Sequence, residues 1–273
     1  MRTRAILLLL ALAGFAAAQA PSISDGGILN GAGFQKGQPI TGGSLISIFG
    51  SRLASSVASA SSIPLSTGLG GVTVTFVNGN TTLNAPLLYV QPDDPANGVI
   101  SQINCQVPWN LVPNGGTANV SVTVTRNNVA SAPAQVTVGP FSPGIFSSGG
   151  RAIAVNADGT LAWPAGVIPG LNTHGAKPGD ALIVYATGLG GVDSPIADGA
   201  ASLDKLRNTQ PPIVGIGGAQ ATVLFSGLAP QFVGVNQLNI LVPNVPPNDN
   251  TPLQILIGGI TTPTNTTISV VSK

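Results

Sequence analysis

The sequence predicts an all-β chain built as two tandem β-sandwich modules, and three observations predict it. The first is a repeated text. Residues 70–108 hold Gly-Gly-Val-Thr-Val-Thr-Phe-Val-Asn-Gly and then Ile-Ser-Gln-Ile-Asn-Cys-Gln-Val-Pro. Residues 217–243 hold Gly-Gly-Ala-Gln-Ala-Thr-Val-Leu-Phe-Ser-Gly and then Val-Asn-Gln-Leu-Asn-Ile-Leu-Val-Pro. Gln102, Asn104 and Pro108 thus match Gln237, Asn239 and Pro243 in order and spacing, as expected of tandem modules. The second is alternation of apolar and polar residues, clearest at Val120, Val122 and Val124. The third is composition. Glu is absent and only 7% of the 273 residues are charged, while Gly 36 and Pro 23 punctuate short runs rich in Val and Thr. Helices lack their usual solvated-face residues in such a chain. Hydrophobic residues at 43% argue against disorder.

Residues 1–18 read as a secretory signal. Arg2 and Arg4 precede an apolar stretch, Ile6 to Ala13, followed by small residues. Ala16 and Ala18 set a cleavage point that leaves Gln19 first, preferred over Ala18 and Ala20, which would leave Pro21 first. The apolar stretch is shorter than the roughly 20 residues that span a bilayer, so no membrane span is expected in the mature chain. Loss of Arg2 and Arg4 leaves eight basic against nine acidic side chains, a formal charge of −1. That excludes nucleic acid as a plausible partner.

The first module is expected over 19–139. A polar lead over 21–40 adds an irregular edge segment, and the first clear strand runs over 44–50, with its counterpart at 180–186. Val72, Val74 and Phe76 share one face of the next strand, which ends in the turn pair Asn78-Gly79. Strands at 87–90, 99–107, 118–124 and 134–138 complete the module. Alternation leaves one apolar face per sheet, so two sheets should stack face to face. The second module is expected over 140–273, joined through Phe141 and Phe146, which should pin the junction. It opens with a hairpin turning at Asp158-Gly159, and later strands fall near 180–186, 218–225, 232–242, 252–258 and 264–271.

Phe141-Ser-Pro-Gly-Ile-Phe146, Tyr185-Ala-Thr-Gly-Leu-Gly190, Val223-Leu-Phe-Ser-Gly-Leu-Ala-Pro230, Val235-Asn-Gln-Leu-Asn-Ile-Leu-Val-Pro243 and Ile257-Gly-Gly259 form an ordered set. In these motifs residues 141–271 resemble an uncharacterised secreted C-terminal domain family of Solibacter-type acidobacteria, and residues 28–138 resemble a degenerate copy. The resemblance implies immunoglobulin-like modules of cell-surface type and brings no catalytic residues.

Chemistry-bearing groups are few. His174 is the sole histidine, without the companions of a zinc site or the Gly-x-Ser-x-Gly turn of a serine hydrolase. No catalytic residue, metal ligand or cofactor-binding residue is therefore assigned, and the chain is expected not to be an enzyme. Asp93-Asp94 reads as a turn, and Asp193 with Asp198 is the least poor calcium candidate. Cys105 stands alone, so no intrachain disulfide forms, and it replaces an inward isoleucine of the second copy. The repeated polar motif Gln102, Asn104, Gln237 and Asn239 has three readings: a polar ladder, contacts to glycan hydroxyls, or bonds to a crossing loop, the plainest. Trp109 and Trp163 are the candidate sugar-stacking rings, with Trp109 preferred as a structural plug.

Together these features point to a secreted, extracellular or cell-surface structural or adhesive protein. Its partners would be copies of itself, forming a filament through exposed edges or the terminal run over 265–271, or other surface proteins. The alternatives are a carbohydrate-binding protein with a glycan partner, and a secreted hydrolase using His174.

Overall fold

The computed structural model describes residues 19–273; the signal expected over 1–18 lies outside the described residues. Eight longer strands occupy the first half: β1 (Ser22–Asn30), β2 (Leu45–Ser51), β3 (Val72–Asn78), β4 (Thr81–Asn84), β5 (Leu87–Gln91), β6 (Ser101–Gln106), β7 (Ala118–Arg126) and β8 (Ala134–Val138). Six occupy the second: β9 (Ala181–Thr187), β10 (Ile213–Ile216), β11 (Ala219–Leu228), β12 (Asn236–Leu241), β13 (Asn248–Ile257) and β14 (Thr267–Val270). The helical content among the described residues is two 3-10 turns, Pro95–Asn97 and Pro113–Gly115. No helix among them is long and apolar enough to cross a membrane.

In the first half β1-β2-β6-β5 make one sheet, and β7 pairs β3 and β8 in another, with β4 on β3. Alternation places Ile46, Ile48, Ile103, Cys105 and Leu87 of one sheet against Val72, Val74, Phe76, Val120, Val122 and Val124 of the other, all within 1% exposure. Alternation thus buries one apolar face of each sheet in a single cluster. The turn after β3 is tight because Gly79 takes φ +56°.

The second half repeats the pairing with one difference. β9 pairs β12, β12 pairs β11, β10 pairs β13, and β13 pairs β14. These match β2 on β6, β6 on β5, β3 on β7, and β7 on β8. Here, however, β11 runs unbroken from β10 to β12, so the two layers are laced into one continuous sheet. The reason lies at one position. In the first half Gln106 N–H donates to Pro86 O between β4 and β5; in the second Thr222 pairs with Leu241 inside β11. Proline supplies no N–H and fixes φ, which interrupts the strand; threonine continues it. The expectation of two separate stacked sheets is thereby corrected for the second half.

The same pairing corrects the repeat. Gly217-Gly218 joins β10 to β11 and so takes the place of the Asn78-Gly79 turn, not that of Gly70-Gly71. Ala85 N–H donates to Val74 O as Ala221 pairs Val214, so Val74 corresponds to Val214. The glycine pairs misalign the first part of the text; the Gln-x-Asn part is aligned correctly. A strand missing from the sequence reading, β10, follows from this.

Each half has its own hydrophobic cluster, one within residues 28–138 and one within 145–270. Leu65, Ala201 and Val233 form a small third cluster that joins them. Around it, Asn30 Nδ2 donates to Ser142 O at 2.6 Å and Ser142 Oγ to Pro39 O at 2.5 Å. Buried Gln106 donates to Gly43 O and accepts from Gly199 N–H at 2.7 Å. Phe141 packs against the second cluster, touching Gly190 and Gly258, where any Cβ would overlap its ring. The terminal run is not a free strand: β14 lies inside the sheet with Ile268 and Val270 buried, which removes it as a donor for filament assembly.

Candidate functional site

The repeated amides occupy the outer faces of β6 and β12. Gln102 and Asn104 alternate with buried Ile103 and Cys105, and Gln237 and Asn239 with buried Leu238 and Ile240. In both halves the glutamine donates to the asparagine two residues on, Gln102 Nε2 to Asn104 Oδ1 at 2.7 Å and Gln237 Nε2 to Asn239 Oδ1 at 2.8 Å. Among the described residues neither pair bonds a crossing loop; Gln106 does that.

An aromatic ring flanks each amide. Phe49 of β2 pairs across from Gln102, and Tyr185 of β9 from Gln237. On the other side Tyr89 of β5 faces Asn104, and Phe225 of β11 faces Asn239. A β-bulge sets the second ring in both halves. The register slips between Leu87 and Tyr89 and between Val223 and Phe225. The extra residue, Leu88 or Leu224, leaves the ladder and is exposed. The outward position passes to the ring that follows. Without the bulge a leucine would stand opposite each asparagine.

The result is two matching rows, aromatic–amide–aromatic, without a charged side chain in either. Each pair keeps one amide carbonyl and one amide NH₂ for a ligand, whichever way the amides are flipped. In the first half Ser47 Oγ adds a bond to Asn104 Oδ1 at 2.8 Å, and Tyr89 Oη donates to Gln91 Oε1 at 2.5 Å. The rows approach one another at the junction. Leu45 N–H donates to Thr187 Oγ1 at 3.0 Å, so β2 begins where β9 ends. A groove of about 490 Å³ opens beside this contact, lined by Leu45, Ile63, Leu88, Phe232 and Val235 among others. Phe232 is 53% exposed and meets Tyr185 edge-on at 6.2 Å.

The tryptophans lie elsewhere. Trp163 is 4% exposed, and its Nε1–H donates to Ala152 O at 2.6 Å, so the sugar-stacking expectation for it is corrected: no ring face is open. Trp109 is half-buried with its ring against Gly43, and its backbone N–H donates to Asp198 Oδ1 at 2.8 Å. Its Nε1 is buried without a partner among the described residues. The rings that flank the amides were legible in part. The strands over 44–50 and 180–186 align with an aromatic in the sixth place of each, Phe49 and Tyr185. Tyr89 and Phe225 were hidden by the misaligned glycine pairs.

No group of three or more His, Cys, Asp or Glu side chains is placed to hold a metal among the described residues. Asp193 is engaged by Asn208, through Nδ2 at 2.6 Å and N–H at 3.1 Å, and does not join Asp198. Asp93 Oδ1 accepts Arg52 N–H, which ties the loop after β5 to the end of β2, and Asp94 Oδ2 accepts Asn97 Nδ2 within its own turn. His174 faces Asp158 across an exposed hairpin; hydrogen bonds from His174 and Thr160 lower the Asp158 carboxyl to about 2. The His174 ring is raised, first by the Gly175 carbonyl and then by Asp158. Complete burial pushes the Cys105 thiol up, which leaves it no thiolate at neutral pH.

No family model matches the chain, and no curated protein matches it. Among solved structures it is similar to the SGBP-B protein of the Bacteroides ovatus mixed-linkage glucan utilization locus, solved with a mixed-linkage heptasaccharide. The identity is 12%, over 86% of this chain and 44% of that one, with a TM-score of 0.32. The chain thus spans less than half of that protein's length. Domains 5–6 of the S-layer protein SbsC align at 9% identity over 93% and 99% of the two chains, TM-score 0.24. The C-terminal domain of the Streptococcus agalactiae AgI/II polypeptide BspA aligns at 10% over 86% and 95%, TM-score 0.20. These likenesses place the chain in no family.

Proposed function

We propose that this chain is a non-catalytic, extracellular binding protein of two immunoglobulin-like modules, 19–139 and 140–273, whose outer sheet faces hold neutral glycan. The observation that carries this reading is the matched pair of rows, Phe49–Gln102–Asn104–Tyr89 and Tyr185–Gln237–Asn239–Phe225. Rings offer flat apolar surface to the C–H face of a pyranose, and a fixed amide donor and acceptor suit vicinal hydroxyls. The lack of charge within the rows favours a neutral sugar. The basic, apolar start of the chain supports an extracellular location.

Titration calorimetry of the purified protein against soluble neutral polysaccharides tests this. Micromolar to millimolar binding is expected, weakened at least tenfold by Gln237→Ala and by Tyr185→Ala. Flat isotherms across β-glucans, mannans and xylans would sink the reading. So would binding untouched by these two substitutions and by Gln102→Ala.

A further inference from the structure

The last strand of each half is paired differently along its outer edge. In the second half every outward group of β14 has a partner in its own chain. Thr267 N–H donates to Gly150 O, Ser269 N–H to Ala162 O, Ala176 N–H to Ser269 O, and Val271 N–H to Ala176 O, all at 2.8–2.9 Å. Arg151 runs parallel to Thr267 there. In the first half the corresponding strand is β8, and Ile40 stands in the place of Ala176. Ile40 N–H donates to Thr137 O at 2.9 Å, and Gly139 N–H donates to Ile40 O at 2.8 Å. Thr137 therefore corresponds to Ser269, and Gln135 to Thr267.

Here the likeness stops. Because Thr137 turns its carbonyl to Ile40, alternation turns the N–H groups of Thr137 and Gln135 away from β7. Among the described residues nothing in the place of Gly150 or Ala162 receives them. The chain instead leaves a groove of about 590 Å³ between β8 and β1. Its far wall is the stretch between Ile23 and Ile28, where β1 breaks register with β2 and Gly26 takes φ +59°. Its floor carries Ile28 and Val136, and Asp25 is its one charged lining residue.

We propose that this groove accepts an extended polypeptide segment from another protein, which adds as a strand parallel to β8. The second half shows what fills such a site: backbone carbonyls presented by small residues, Gly150 and Ala162, with Ala152 buried between them. The partner segment is accordingly extended, rich in Gly and Ala, and carries at most one basic residue towards Asp25. Strand addition of this kind draws affinity from main-chain bonds and selectivity from alternate side chains. A second copy of this chain is a poorer donor. Among the described residues its last strand, β14, is already held on both edges. The site is independent of the proposed glycan-binding rows, which lie on β2, β5 and β6 and on β9, β11 and β12.

The test uses the purified protein and a synthetic peptide of residues 148–156, Ser-Gly-Gly-Arg-Ala-Ile-Ala-Val-Asn, the stretch that carries Gly150 and runs parallel to β14 in the second half. Amide hydrogen exchange by NMR is the readout. In the free protein the Gln135 and Thr137 amides should exchange fast and the Thr267 and Ser269 amides slowly. Saturating peptide should slow Gln135 and Thr137 at least tenfold, and Gln135→Pro, which deletes one donor, should abolish that slowing at Thr137. Unchanged exchange at millimolar peptide overturns the proposal. Protection already present in the concentrated free protein and lost on dilution also overturns it, in favour of a second copy. Should Gln135→Pro not fold, a reversed-sequence peptide that protects equally well would equally count against a defined strand site.

Discussion

The ring of His174 sits between two acceptors, with Nε2 2.9 Å from Asp158 Oδ2 and Nδ1 2.9 Å from the Gly175 carbonyl oxygen. A neutral imidazole has one N–H, so this setting favours the doubly protonated ring. The His174 contribution to stability is full below its ordinary value of 6.5 and is lost as pH rises through the raised folded value. That of Asp158 is present above 3.8 and is lost as pH falls towards about 2. Both side chains are about half exposed, so solvent screens the pair and the stability effect is small. Proton NMR of this single histidine should give a midpoint above 6.5, moved down by Asp158→Asn. A midpoint at or below 6.5 would contradict the geometry.

Gly43 takes φ +77° directly beneath the Trp109 ring. Gly43→Ala combines a left-handed backbone with a side chain that overlaps the indole. The backbone alone costs about 1–2 kcal/mol, and displacement of Trp109 adds to it. Urea denaturation should show a lowered midpoint and quenched or shifted tryptophan emission. An unchanged midpoint would mean that the indole does not rest there.

Gln106→Leu removes the amide that joins Gly43 O to Gly199 N–H. Each buried group left unpaired costs about 1–3 kcal/mol. The loss falls on the contact between halves, so calorimetry should resolve one thermal transition into two. A single transition shifted as a whole would assign Gln106 to the first half alone.

Cys105 lies at 0% exposure in the first cluster. A thiol reagent should not label it in the native protein, and labelling should track unfolding of the first half. Phe76→Ala, which opens a cavity in the same cluster at about 3–5 kcal/mol, should speed labelling. The matching truncation Ile216→Ala in the second cluster should speed it much less. Rapid native labelling would place the thiol at the surface.

The outer-face rows were only half legible. Period-2 alternation marks β2, β3, β6 and β7 because each buries one face, and the duplicated Gln-x-Asn marks the amides. A bulge, however, breaks the period at Leu88 and Leu224 by one residue, and no local pattern announces which neighbour then faces out. β1 was hidden by its two glycines and its register break, and β10 by the misplaced glycine pair. Trp163 reads in the sequence as a candidate stacking ring, and no local pattern tells that it is covered. The segment that follows Leu161 instead folds back against β14, carrying the indole inside.

The lacing of β11 through both layers of the second half bears on how the chain carries tension. Pulling on Lys273 loads β14, which is clasped by neighbours on either edge, and the sheet behind it has no seam at which to part. Pulling on Ser22 loads β1, which among the described residues pairs with β2 alone and already breaks step at Ile23. Stretched between Ser22 and Val270, the described residues should therefore yield first at β1. The first half peels while the second holds, so that the second half stays folded as an anchor.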